Sequence, residues 1–125
     1  MSTPILSPAI PQLPSGNLET TAEFFRERLG FTESQLYADH GHLIVRRGAS
    51  EIHFWDAGSP EEAKKYGSAS SCYIRVQNVA ELYAELRGRD VTFAYELRRQ
   101  PWGMHEMQIN DPFGNAIRFG EPVAT

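Results

Sequence analysis

The stretch NLETTAEFFRERLGF, Asn17 to Phe31, decides how the rest of the chain is read. Leu18, Ala22, Phe25 and Leu29 recur at helical spacing, and Phe24 widens the apolar stripe. Asn17 is suited to cap the first turn. Glu19 near the start and Arg26 and Arg28 near the end complement the helix dipole. Gly30 is a stop residue. A second helix of the same design begins at Asn78, with Glu81 three residues on as a capping-box-like partner. Val79, Leu82, Tyr83 and Leu86 keep its period, and Gly88 ends it.

Strand-like runs follow each helix. After the first they cover Phe31 to Tyr37, His42 to Arg46 and Glu51 to Asp56, with Gly41 and Gly48 at the turns. Cys72 to Val76 precedes the second helix. Val91 to Leu97, Met104 to Ile109 and Ala116 to Phe119 follow it. Met1 to Pro14 carries four prolines, so it is expected as an arm or an edge strand. The order is therefore β-α-β-β-β, given twice. The expected fold is one α+β domain spanning 1–125. Its first module covers about 1–57, a linker with a helical stretch from Pro60 to Lys65 covers about 58–69, and its second module covers about 70–125. Two such modules make a curved mixed sheet with helices outside and a concave face for a ligand.

Composition narrows the function. The 125 residues are one ordinary domain's worth, and 41% are hydrophobic. Twelve Lys plus Arg against sixteen Asp plus Glu give a net charge of −4 with no basic block. Nucleic acid is a poor partner for such a chain. The single cysteine, Cys72, excludes an internal disulfide framework and is expected as a buried structural thiol. No signal-like N-terminus or membrane-length apolar run is present, so the expected setting is the cytoplasm and no membrane partner is expected.

Three stretches carry a resemblance. Phe24-Phe25-Arg26-Glu27-Arg28-Leu29-Gly30-Phe31 resembles the first helix and "LGF" exit of the vicinal oxygen chelate superfamily. This superfamily includes glyoxalase I, extradiol dioxygenases and bleomycin-resistance proteins. Asp111-Pro112-Phe113-Gly114-Asn115 is similar to its DP-x-GN turn. Gln100-Pro101-Trp102-Gly103 is similar to the QPWG of the bleomycin-binding branch. In the enzymes, the resemblance implies metal ligands near Ile10, within Glu51 to His53, at Ser71 and at Arg118. Only Glu51 or His53 could serve, and a catalytic metal needs about three protein ligands. The expectation is a protein with no metal, no cofactor and no catalytic residues.

The binding branch implies a homodimer with a bleomycin-like ligand in each interfacial cleft and an exchanged N-terminal arm. Trp102, Trp55 and Tyr73 would stack on the ligand's rings. Gly103 shapes the Trp102 loop. His40, or alternatively Tyr37, stands near a position where the branch places an aromatic from the other subunit. Glu51, with Asp39 and Glu106, would supply negative charge, and His53 shares the face of Glu51. Arg118 and Arg75 oppose a cationic glycopeptide unless a carboxylate such as Glu51 or Glu106 pairs with them. Two other readings stay open: a binder or sensor of another small molecule, and a metal-dependent glyoxalase-like lyase.

Overall fold

The computed structural model describes residues 2–123. Each module builds its own four-stranded mixed sheet. The first contains β1 (Gln12–Ser15), β2 (Glu33–Tyr37), β3 (His42–Arg47) and β4 (Ser50–Asp56), in the order β1-β4-β3-β2. The second contains β5 (Ser71–Arg75), β6 (Phe93–Arg99), β7 (Met104–Asn110) and β8 (Ala116–Pro122), in the order β5-β8-β7-β6. In both, the strand before the helix runs parallel to the last strand, and the other pairs are antiparallel. β1 is an edge strand, which is where Pro14 is tolerated.

Helix α1 (Leu18–Leu29) lies on β2, β3 and β4. Asn17 accepts from the Thr20 amide at 3.0 Å, and Gly30 takes the left-handed conformation that ends the helix. Phe25 and Leu29 are fully enclosed, each contributing roughly 1.5–3 kcal/mol by burial. They join Leu43, Val45, Ile52 and Phe54 in a core that continues through Met107, Ile109 and Ile117 of the second sheet. α2 (Pro60–Gly67), capped by Ser59, packs on β1 and runs two residues beyond the expected Lys65. Arg47 grips Glu85 of α3 (Val79–Arg87) through both terminal guanidinium nitrogens at 2.7 and 2.8 Å. Arg89 reaches the Glu27 carbonyl at 3.3 Å, and Arg28 reaches Asp90 at 3.2 Å. These bonds clasp the ends of α1 and α3 together.

The start of α3 departs from the sequence reading. Asn78 sits in the left-handed region with no side-chain cap, so the Asn78–Glu81 capping box does not form. The carboxylate of Glu121, on β8, accepts instead from the Asn78 and Val79 amides at 3.0 and 3.1 Å. Those bonds hold its carboxyl below the ordinary value. A depressed carboxylate stabilises above its unfolded pKa, and that support is lost as pH falls through the folded value. Glu121→Ala is therefore expected to lower the thermal midpoint at neutral pH and to have little effect in acid. Melting curves at the two pH values check it.

The turn Asp111–Asn115 joins β7 to β8 and is almost wholly buried at its polar ends. Asp111 Oδ1 accepts from the Phe113 and Asn115 amides, and Oδ2 from the Asn115 side chain at 2.7 Å. The same Asn115 amide donates to the Pro14 carbonyl of β1 at 2.9 Å. No helix among the described residues is long and apolar enough to cross a membrane.

Candidate functional site

Alternation along β7 turns Met107 and Ile109 inward and leaves Glu106 and Gln108 on the face away from α3. Even so, Glu106 is only 2% exposed. Three side chains cover it. Tyr73 from β5 donates its hydroxyl to Oε1 at 2.8 Å, and the Trp102 indole N–H donates to the same oxygen at 3.2 Å. The Tyr95 hydroxyl from β6 donates to Oε2. Gly120 stands directly across the ladder from Glu106. A Cβ there would lie 1.9 Å from the Tyr73 hydroxyl oxygen, so the glycine makes room for the ring.

Trp102 is carried on a tight β6–β7 connection. The Gly103 amide closes a turn onto the Gln100 carbonyl at 3.1 Å, with Pro101 at its second position. Gly103 has a φ of 80°, and open space surrounds its Cα, so backbone geometry selects the glycine there. The indole is 64% exposed, with its N–H tied down. A ring so exposed and so tethered is available to stack.

Electrostatics follow from this arrangement. Burial pushes the Glu106 carboxyl up, but bonds from Tyr95, Tyr73 and Trp102 and the charge of Arg118 outweigh it, and the group is held below its ordinary value. Burial and the facing carboxylate push the Tyr73 phenol up to about 12, and Tyr95 is raised for the same reasons. Arg98 lies over the Tyr95 ring at 4.5 Å. Arg118 donates to Gln108 at 2.9 Å rather than forming the ion pair with Glu51 or Glu106 that would have neutralised it. Tyr73, Tyr95, Arg98, Trp102, Glu106 and Arg118 frame a cleft of about 480 Å³, with Gln100 at its edge.

The candidate residues thus fall into two groups. Trp102, Gly103, Tyr73, Arg118 and Glu106 converge on this cleft. Glu51, His53, Trp55 and Tyr37 lie on the first sheet, outside it. There Glu51 accepts from Arg46 at 2.8 Å and from His53 at 2.6 Å, which hold its carboxyl low. His53 meets His42 edge-on at 5.0 Å, and Trp55 packs against Tyr66 at 5.5 Å. Tyr37 approaches His42, while Asp39 and His40 occupy an exposed 3-10 turn after β2. Arg75 lines two grooves at the seam of the modules, the smaller of which, about 310 Å³, also contains Glu51 and Tyr73. Among the described residues, no three His, Cys, Asp or Glu side chains stand together to hold a metal. Cys72 is buried, and burial pushes its thiol up to about 12.

Tyr95, Arg98 and Gly120 are site residues that the sequence reading does not name, and strict alternation from Phe93 misplaces Tyr95. β6 shifts register twice against β7. Phe93 pairs with Ile109 on the helix side, yet Tyr95 pairs with Gln108 and Arg98 with Glu106 on the cleft side.

This pair of modules, with its DPFGN turn and its QPWG loop, matches a known family over residues 8–119. The chain belongs to the Glyoxalase/Bleomycin resistance protein/Dioxygenase superfamily. Within it, the chain is 27% identical to the bleomycin resistance protein of Geobacillus stearothermophilus, covering 92% of this chain and 96% of that one. It is similar to the crystal structure of a bleomycin resistance determinant encoded on transposon Tn5, with a TM-score of 0.77 and 27% identity, covering 94% and 98% of the two chains. A bleomycin-binding protein crystallised with bleomycin gives a TM-score of 0.75 at 28% identity, covering 93% and 98%. The superfamily also holds enzymes, as its name states.

Proposed function

We propose that this superfamily member is a non-enzymatic binding protein that sequesters a ring-bearing small molecule, with bleomycin-type glycopeptides as the first candidates. The observation that carries the reading is the aromatic wall anchored on Glu106. Tyr73, Tyr95 and Trp102 are held by one carboxylate, which leaves an oriented indole face beside an open cleft. Such a wall stacks planar rings, at about 1 kcal/mol per pair beyond burial. The relatives named for bleomycin resistance and bleomycin binding support the same reading.

Catalysis finds little support in the cleft. Glu106 has both oxygens occupied as acceptors, so it is a poor general base. The Tyr73 and Tyr95 phenols are pushed up, away from the range of a base at neutral pH.

In this reading two copies complete each cleft, the first sheet of one bringing Tyr37, His40, Glu51, His53 and Trp55 towards the second sheet of the other. The N-terminal arm favours such an assembly, since Ile5 and Leu6 are 92% and 90% exposed. Tryptophan fluorescence during titration with copper-free and copper-loaded bleomycin tests the function. Saturable quenching at roughly one drug per chain, with Kd of about 1 μM or below, is expected, and Trp102→Phe should remove most of the signal. No change up to high micromolar drug would exclude bleomycin. A second reading, a binder of a different small molecule, is favoured by the two arginines of the cleft.

A further inference from the structure

We infer that the cleft selects a planar aromatic ligand carrying an anionic group, such as an aromatic carboxylate, over its neutral and cationic counterparts. This inference rests on the reading of the cleft as a binding site. Of the two readings above it takes the second, a small molecule other than a cationic glycopeptide, and adds that ligand's chemical class.

The argument is one of charge balance. Among the described residues, Glu106 is the one carboxylate framing the cleft. Its Oε1 takes the Tyr73 and Trp102 donors and its Oε2 takes Tyr95, and it is 2% exposed. Its acceptor sites are therefore taken up by the wall, and its single charge offsets at most one of the two guanidinium groups that frame the cleft. Two guanidinium groups remain. Arg98 is stacked on Tyr95 at 4.5 Å, and among the described residues neither it nor Arg118 forms an ion pair with a carboxylate. Arg118 uses its Nε for Gln108 and stands within reach of the Tyr95 hydroxyl, which leaves donors on its terminal nitrogens. Register places both near Glu106, with Arg98 directly across the ladder and Arg118 facing Gln108.

A planar fork of N–H donors beside an aromatic wall suits a ring with an attached carboxylate. The ring lies on Trp102 and Tyr73, and the oxyanion meets the guanidinium groups. A cationic group in the same place meets two like charges.

The test uses three probes with one ring: 2-naphthoate, 2-naphthamide and 2-naphthylmethylammonium. Binding is followed by the Trp102 indole N–H resonance in nitrogen–proton spectra, with Trp55 as the internal control and Trp102→Phe for assignment. Naphthoate is expected to bind about tenfold more tightly than the amide, and the ammonium compound most weakly. The preference should shrink as salt is added. Arg118→Gln and Arg98→Gln should each weaken naphthoate more than naphthamide, so that the two affinities draw together. Equal affinities for naphthoate and naphthamide would overturn the inference and leave the aromatic binding site standing. If none of the three rings moves the Trp102 resonance at millimolar concentration, the binding-site reading falls and the inference with it.

Discussion

Asp111→Ala is expected to destabilise the protein by roughly 3–5 kcal/mol, the range for breaking a buried, charged hydrogen-bond network. The side chain is 5% exposed and satisfies two backbone amides and the amide of Asn115. Alanine leaves those donors buried without an acceptor. It also frees the Asn115 side chain that holds the Pro14 carbonyl, so the damage extends to the edge of the first sheet. For a chain of this size the thermal midpoint should fall by about 10 °C or more. Asp111→Asn keeps an oxygen for the two backbone amides and should cost much less.

The pH dependence separates these effects further. Burial holds the Asp111 carboxyl above its ordinary value, although bonds from Asn115, Phe113 and Gly114 work against that shift. A raised folded pKa contributes stability that is fully present below the unfolded pKa and is lost as pH rises through the folded one. Asp111→Asn removes that dependence. Urea denaturation from mild acid to neutral pH checks both predictions. An Asp111→Ala protein as stable as the parent would mean that the turn is not held by its carboxylate.

Glu106→Ala should have the largest effect on binding. Tyr73, Tyr95 and Trp102 lose their common acceptor at once. The exposed Trp102 is then free to leave its orientation, and ligand affinity is expected to fall at least tenfold, or about 1.4 kcal/mol. Glu106→Gln retains volume and one acceptor, so it should lose less. It also offers a readout that does not depend on any ligand. The Tyr73 phenol, at about 12 in the parent, should titrate at lower pH in Glu106→Gln, because part of the shift comes from the facing charge. It should not return fully to 10, since burial is the larger cause. The sign follows from the neutral phenol being favoured in the fold. That stabilisation is whole below the unfolded pKa and is lost between it and about 12. Near-UV difference absorbance follows the titration, and calorimetry follows the ligand.

The parts of this molecule that the sequence made legible are those governed by neighbours in the chain. Asn17, the apolar stripe through Phe25 and Leu29, and the Gly30 stop all act within one helix, and the structure matches them closely. The DPFGN and QPWG turns are likewise local, set by proline, glycine and a side chain reaching its own backbone. What was not legible depends on distant partners. Asn78 looked like a cap, but the cap is supplied by Glu121, 43 residues away. Strict alternation places Tyr95 on the same face as Phe93, whereas a register shift turns it into the cleft. Gly120 carries no signal in the sequence, because its value lies in the ring that passes over it. The aromatic wall could therefore be glimpsed at Tyr73 and Trp102, but not its completion by Tyr95 or its tie to Glu106.

The clasp between α1 and α3 has a consequence for how the chain opens. Arg47, Glu85, Arg89 and Glu27 form one continuous set of bonds across the two repeats, and the core runs beneath it without a break. Either half, alone, would expose an apolar face and strand half of a charge network. The repeats are thus symmetric in layout yet inseparable as folding units, and the slowest-exchanging amides of both helices should be released by the same global unfolding event.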